Sequence, residues 1–257
     1  MFDALIKEFA ALDGVEAIAL GGSRATQQGD TASDYDVYVY CTEPIDVAVR
    51  RGILQNYCAV LEIDNRFWEQ EDNATLKNGI DIDIIYRDLD AMIADVASVV
   101  EQFQARNGYT TCMWHNLKNC TVLYDREGRL SQAKARFDVA YPEELMENIV
   151  SRNYRLLHAA LPAYRMQIAK ALKRQDVVSL NHRVAAFMES YFDILFAVNG
   201  QTHPGEKRLI QRCKACCENL PEDFEENINR LFYHMYTAPQ EVNGDIARIV
   251  GQLQRIL

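Results

Sequence analysis

The sequence predicts an α+β fold: a small mixed-sheet domain over residues 1–140, followed by an all-α helical bundle over residues 141–257. Two observations carry this. Short strand and helix patterns alternate as far as Ala140, and strand patterns stop after Tyr141-Pro142. Beyond that point long helical patterns follow one another. Pro142-Glu143-Glu144, Pro204-Gly205-Glu206 and Pro221-Glu222-Asp223 place proline or acids in first turns, where they fit the free N–H groups and the positive end of the dipole.

Each element follows from its pattern. Residues 2–12 place Phe2, Leu5, Ile6, Phe9 and Leu12 on one helical face. Val15–Leu20 is a short apolar strand running into the turn Gly21-Gly22-Ser23. Tyr35–Cys41 is a strand rich in β-branched and aromatic residues. Residues 46–58 read as a helix, and Val60–Phe67 and Ile80–Tyr86 as strands. A helix from Asp88 to Arg106, a strand near Val122–Tyr124 and a helix near 130–138 complete the first part. Helices are expected over 142–174, 176–198, 205–219, 221–236 and 239–256.

The chain of 257 residues is long enough for two modest cores. Its apolar runs fall far short of the roughly 18 residues that span a bilayer. Met-Phe-Asp-Ala-Leu-Ile-Lys-Glu carries an acid where a secretion signal is basic, so a cytoplasmic location is expected, with no membrane partner. Thirteen basic and 23 acidic residues precede Tyr141, whereas 14 of each follow, so the whole net charge of −10 lies in the first part. That balance argues against a nucleic-acid partner held by charge, and fits metal ions or a cationic small molecule. Seven cysteines without a secretion signal are expected as thiols. Cys213, Cys216 and Cys217 have the spacing of a buried helical stripe, and Cys112, His115 and Cys120 fit no familiar zinc spacing.

The chemistry is concentrated in Gly21-Gly22-Ser23-Arg24 and Asp34-Tyr35-Asp36-Val37-Tyr38-Val39-Tyr40. Asp34 and Asp36 stand two apart at a strand start, so their side chains leave one face while Val37, Val39 and Cys41 face a core. Gly79-Ile80-Asp81-Ile82-Asp83-Ile84-Ile85-Tyr86 repeats the pattern, with Asp81 and Asp83 opposite an isoleucine face. Acids are depleted from strand interiors, and neighbouring carboxylates repel unless a cation neutralises them. Carboxylate oxygens suit Mg²⁺. Gly22-Ser23 supplies a small-residue turn whose backbone N–H groups suit phosphate oxygens. Arg24 either neutralises further charge or stands as a solvated first-turn side chain.

Gly22-Ser23, a gap of ten residues, Asp34-x-Asp36 before an apolar strand and a later strand aspartate resemble the polymerase-beta nucleotidyltransferase superfamily, and within it the small bacterial aminoglycoside nucleotidyltransferases. Asn181-His182-Arg183 through Asp193, with Asn199 and His203-Pro204-Gly205-Glu206-Lys207-Arg208, is similar to an uncharacterised bacterial family that joins such a domain to a C-terminal helical one. The resemblance implies that Asp34, Asp36 and Asp83 are catalytic and hold Mg²⁺, with Asp81 as the alternative third carboxylate. It implies that Gly22 and Ser23 hold nucleotide phosphates, with Arg24 and Lys207 as further nucleotide-binding cations. A nucleoside triphosphate is then the substrate, with ATP expected. Two Mg²⁺ ions about 4 Å apart would serve transfer of its nucleoside monophosphate to a hydroxyl of a small acceptor, aminoglycoside-like if cationic. Transfer to a protein hydroxyl, or nucleotide binding without chemistry, are the alternatives.

Overall fold

A computed structural model describes residues 1–25 and 34–257, the Ser23 side chain excepted, and these fall into two units. The first comprises Met1–Ala97 and Asn116–Val139, and the second Ser98–His115 and Ala140–Leu257. The chain is α+β: the described residues form one mixed six-stranded sheet, and their remaining regular structure is helical.

Elements run α1 (Phe2–Ala10), β1 (Val15–Leu20), α2 (Gly22–Ala25), β2 (Tyr35–Cys41), α3 (Val47–Tyr57), β3 (Cys58–Asn65), β4 (Glu71–Leu76), β5 (Asp81–Arg87), α4 (Leu89–Val100), α5 (Cys112–Asn119), β6 (Thr121–Asp125) and α6 (Arg129–Arg136). The sheet order is β3-β4-β5-β2-β1-β6. β2 and β5 pair in parallel, and every other neighbouring pair is antiparallel. One sheet face is apolar. Val37 and Val39 of β2 and Ile82 and Ile84 of β5 are fully buried there with Leu5 and Phe9 of α1 and Leu54 of α3. Burying each such side chain stabilises the unit by about 1.5–3 kcal/mol, which offsets the cost of ordering acids on the opposite face.

A buried ion pair also sits in this unit. The side chains of Arg50 (α3) and Asp72 (β4) are each 1% exposed, with Nη1 donating to Oδ1 at 2.5 Å. Arg50 also donates to Asp64 Oδ1 at 2.9 Å and to the Ile45 carbonyl at 3.1 Å. The Tyr86 hydroxyl donates to the second Asp72 oxygen at 2.8 Å. Every partner is thus hydrogen-bonded, which is what makes a buried charge tolerable.

In the second unit α7 (Glu143–Tyr154) runs into a π-helical turn, Arg155–Ala159, and is followed by α8 (Tyr164–Lys173), α9 (Val177–Val198), α10 (Leu209–Cys216), α11 (Phe224–Thr237) and α12 (Val242–Leu253). Asp176 caps α9, its side chain accepting from the Ser179 N–H at 3.0 Å. Twelve of the 22 residues of α9 are buried, so this helix is the axis of the core. Its Asp193 is buried at 1% exposure, accepting from Thr110 N–H at 2.9 Å, Thr110 Oγ1 at 2.6 Å and Asn153 Nδ2 at 3.2 Å.

Several expectations need correction. The single helix over 142–174 is interrupted at Ala160–Ala163, where Pro162 cannot donate an N–H. The helix from Asp88 ends at Val100, and Phe103 and Tyr109 adopt positive φ. β4 is a strand that the composition Glu71-Asp72-Asn73 hides. Cys213 and Cys217 join the core, while Cys216 is exposed. The helical pattern also leads one to expect the aromatic residues Phe232 and Tyr236 in the core, but they are 44% and 69% exposed. Among the described residues no helix is long and apolar enough to cross a membrane.

Candidate active site

The site grows from the pairing of three strands. β1 and β2 are antiparallel with Leu20 opposite Val37, so the chain leaving β1 arrives beside Asp36. The Gly21 N–H donates to the Asp36 carbonyl at 2.7 Å. Gly22 has φ +62°, and a Cβ there would lie 1.8 Å from Asp36 Oδ2. A Cβ on Gly21 would lie 2.4 Å from the Tyr38 ring. Both positions therefore require glycine, and Gly22 does so for its backbone conformation as well. Tyr38 is held by a cation as well: the Arg87 guanidinium lies 4.3 Å from its ring centroid and forms a bidentate pair with Glu69, at 2.6 and 2.7 Å.

β2 and β5 set the carboxylates. Their parallel register places Asp36 directly opposite Asp83, on the face away from the isoleucine core. Asp34 immediately precedes β2. Its carbonyl accepts from Arg24 Nε at 3.1 Å, and the Arg24 guanidinium lies 4.1 Å over the Tyr35 ring, which stacks on Phe2. Arg24 thus anchors the entrance to β2. One oxygen from each of Asp34, Asp36 and Asp83 lies within 4.8 Å of the other two, and all three residues are half-buried. Among the described residues this is the one such convergence of acidic, histidine or cysteine ligand atoms. Asp81 is exposed and accepts from Thr75 Oγ1 at 2.7 Å.

The donor set fits a hard divalent cation. Oxygens bound to Mg²⁺ at about 2.1 Å stand about 3–4.2 Å apart in an octahedron, so these carboxylates need only small rotations to share an ion. Three anions gathered at half-buried positions also repel one another until a cation joins them.

Of the other expected residues, Gly22 lies against Asp36 as described, and the Ser23 side chain lies outside the described residues, as do residues 26–33 of the motif. Lys207 belongs to the second unit, exposed in the turn before α10. His182 is exposed on α9, and Glu189, whose carboxyl burial pushes up, packs against Gly108. Sequence reasoning missed Asn73. Its Nδ2 donates to Asp83 Oδ1 at 2.7 Å, and its Oδ1 accepts from Asn65 Nδ2 at 2.6 Å. The available signal was an amide among acids in a segment bounded by strands.

Residues 110–209 match the model of a family described as a domain of unknown function, DUF4037. No curated protein matches the chain. Solved structures similar to it include a nucleotidyltransferase-like protein from Exiguobacterium sibiricum 255-15, 10% identical, covering all of this chain and 74% of that one, with a TM-score of 0.45. An aminoglycoside 6-adenyltransferase from Bacillus subtilis is 9% identical, covering all of this chain and 89% of that one, with a TM-score of 0.31. At these scores the functional reading rests on the chain's own residues.

Proposed function

We propose that this chain is a divalent-cation-dependent nucleotidyltransferase that moves a nucleoside monophosphate from a triphosphate, ATP by preference, to a hydroxyl of a small acceptor. The observation that carries the reading is the convergence of Asp34, Asp36 and Asp83 oxygens within 4.8 Å, beside a glycine with no room for a Cβ. Asp34, Asp36 and Asp83 would hold Mg²⁺, which when bound neutralises charge on the triphosphate and on the departing pyrophosphate. Backbone N–H groups of Gly22 and Ser23 receive phosphate oxygens, and the bare Cα of Gly22 lets the Asp36 carboxylate lie close beside that backbone. Arg24 keeps Asp34 in place rather than contributing its charge directly, since its guanidinium is already engaged with the Asp34 carbonyl and Tyr35.

In the chemical step the acceptor oxygen forms a bond to the α-phosphorus, and the bond from that phosphorus to the bridging oxygen of pyrophosphate breaks. The acceptor proton passes to an Asp83 oxygen, and pyrophosphate leaves with the electron pair. Positioning and charge neutralisation supply most of the rate in such transfers. The acidic first part of the sequence supports a cationic acceptor of the aminocyclitol kind.

The test is pyrophosphate release from ATP and Mg²⁺ with a panel of small hydroxyl acceptors. The wild-type chain is expected to release it, and Asp36→Asn to lose at least about 100-fold while keeping its melting temperature. An Asp36→Asn variant as active as wild type refutes the site. Label transferred only to protein, or nucleotide bound without release, would replace the small acceptor by a protein hydroxyl or by a silent binding module.

A further inference from the structure

We propose that the β3–β4 hairpin is a positioning arm for Asp83, with Asn73 as its positioning residue; this rests on the divalent-cation reading above. A carboxylate accepts but does not donate when ionised, so the Asn73 amide nitrogen must face Asp83, as it does at 2.7 Å. That choice turns the Asn73 carbonyl oxygen toward Asn65, whose own amide donates to it at 2.6 Å. The two amides form a relay that ends on Asp83 Oδ1. It stops rotation of the carboxyl group and leaves Oδ2 to face a cation.

The backbone is arranged for this relay. Asn73 stands directly opposite Asp83 across the β4–β5 pair, so the contact is made at the shortest cross-strand distance. Asn65 reaches the same face only through a bulge. β3 pairs with β4 as Glu62 to Asn73, but the register has shifted by one at Asn65, which stands opposite Glu71. Without the shift Asn65 would stand opposite Gln70 and turn to the face of Asp72. The bulge residue is Asp64, in the left-handed region at φ +64°. Its carboxylate goes to Arg50 on the buried side while Asn65 is delivered to the other. One irregularity therefore serves both faces: the buried Arg50–Asp72 pair clamps β4 from behind, and the amide relay acts in front. A strained non-glycine residue persists where surrounding contacts over-determine it, and here the side chains of Arg50, Arg66, Gln70 and Asp72 all hydrogen-bond to Asp64.

Manganese binding to the full chain, read from loss of the free-ion electron paramagnetic resonance signal, needs no turnover. Loss of an outer partner of a metal ligand costs roughly 10- to 100-fold in affinity, and that loss is expected for Asn73→Ala. Thr75→Val removes the analogous contact to Asp81, two residues along the same strand, and is expected to leave affinity within about twofold. Asn65→Ala is expected to weaken binding by a smaller factor than Asn73→Ala, and it carries the test if Asn73→Ala does not fold. Wild-type affinity in a folded Asn73→Ala, or equal losses in Asn73→Ala and Thr75→Val, overturns the positioning role while a loss in Asp83→Asn leaves the metal site standing. Unchanged affinity in both Asp36→Asn and Asp83→Asn overturns the cation reading itself, and the positioning role with it.

Discussion

Removing Asp72 tests how much of the first unit depends on its buried ion pair. Asp72→Ala leaves the Arg50 guanidinium at 1% exposure without its main partner. Breaking such a pair costs about 3–5 kcal/mol, because the remaining charge stays out of water. Asp64 still lies 2.9 Å from Nη2, and its side chain is 28% exposed, so it screens part of the orphaned charge. The lower end, about 3 kcal/mol, is therefore expected. The unit contains segments of 97 and 24 residues, 121 in all. At about 2.1 cal/mol/K per residue its unfolding entropy is about 0.25 kcal/mol/K, so the loss corresponds to a fall of about 12 °C in Tm. Differential scanning calorimetry of the full chain, following the transition of the first unit, reads this directly. A fall of less than about 4 °C would refute the argument. The double variant Arg50→Met/Asp72→Leu removes both charges and is expected to regain most of the loss. If it is as unstable as Asp72→Ala, the cost lies in packing and not in the stranded cation.

Gly22→Ala places a methyl group where Asp36 Oδ2 now lies, at 1.8 Å, and is expected to weaken manganese binding at least about 10-fold while lowering stability by only about 1 kcal/mol; unchanged binding counts against the close approach. In the second unit two buried groups act on stability with opposite signs. Burial lowers the pKa of His203 to about 3, so its contribution is present above the ordinary histidine value and is lost as the pH falls through it toward 3. Burial raises that of Asp193 to about 6, so its contribution is complete below the ordinary carboxylate value and is lost as the pH rises through 6. Urea midpoints between pH 6 and 4 are therefore expected to fall more steeply in Asp193→Asn than in wild type, and less steeply in His203→Phe. Parallel profiles in all three chains would remove both assignments.

The parts of the fold that were legible in the sequence are those where local pattern and tertiary demand agree. Val37, Val39, Ile82 and Ile84 alternate with polar residues and face one core, and α9 shows its apolar periodicity through 22 residues. β4 was hidden because Glu71, Asp72 and Asn73 are poor strand formers. It forms because β3 and β5 pair with it on both sides and because Asp72 meets a buried arginine contributed by α3, 22 positions earlier. No local window contains that information. Alternation alone did not separate Asp81 from Asp83, since both leave the same face, and only the family resemblance favoured Asp83. The register places Asp83, not Asp81, opposite Asp36, and it is the Asp83 oxygen that lies with those of Asp34 and Asp36. Asn73 was invisible for the same reason, its partner being fixed by an antiparallel pairing and a bulge. Pro162, by contrast, was a readable signal for the break after α7.

The pairing of β2 with β5 has a consequence for how chains of this kind can vary in length. Thirty-nine residues, 42–80, separate the two strands, and they hold a helix, two further strands and several turns. Extra residues in their turns change the outline of the molecule but leave the two facing acids where they are. A single residue gained within Asp36–Val39 has the opposite effect, because the strand alternates sides at every step. It would send one acid into the isoleucine layer and bring an apolar side chain out to replace it. Tolerance of insertions should therefore be generous in the turns and close to nil over these few positions, a contrast that a one-residue insertion scan would map.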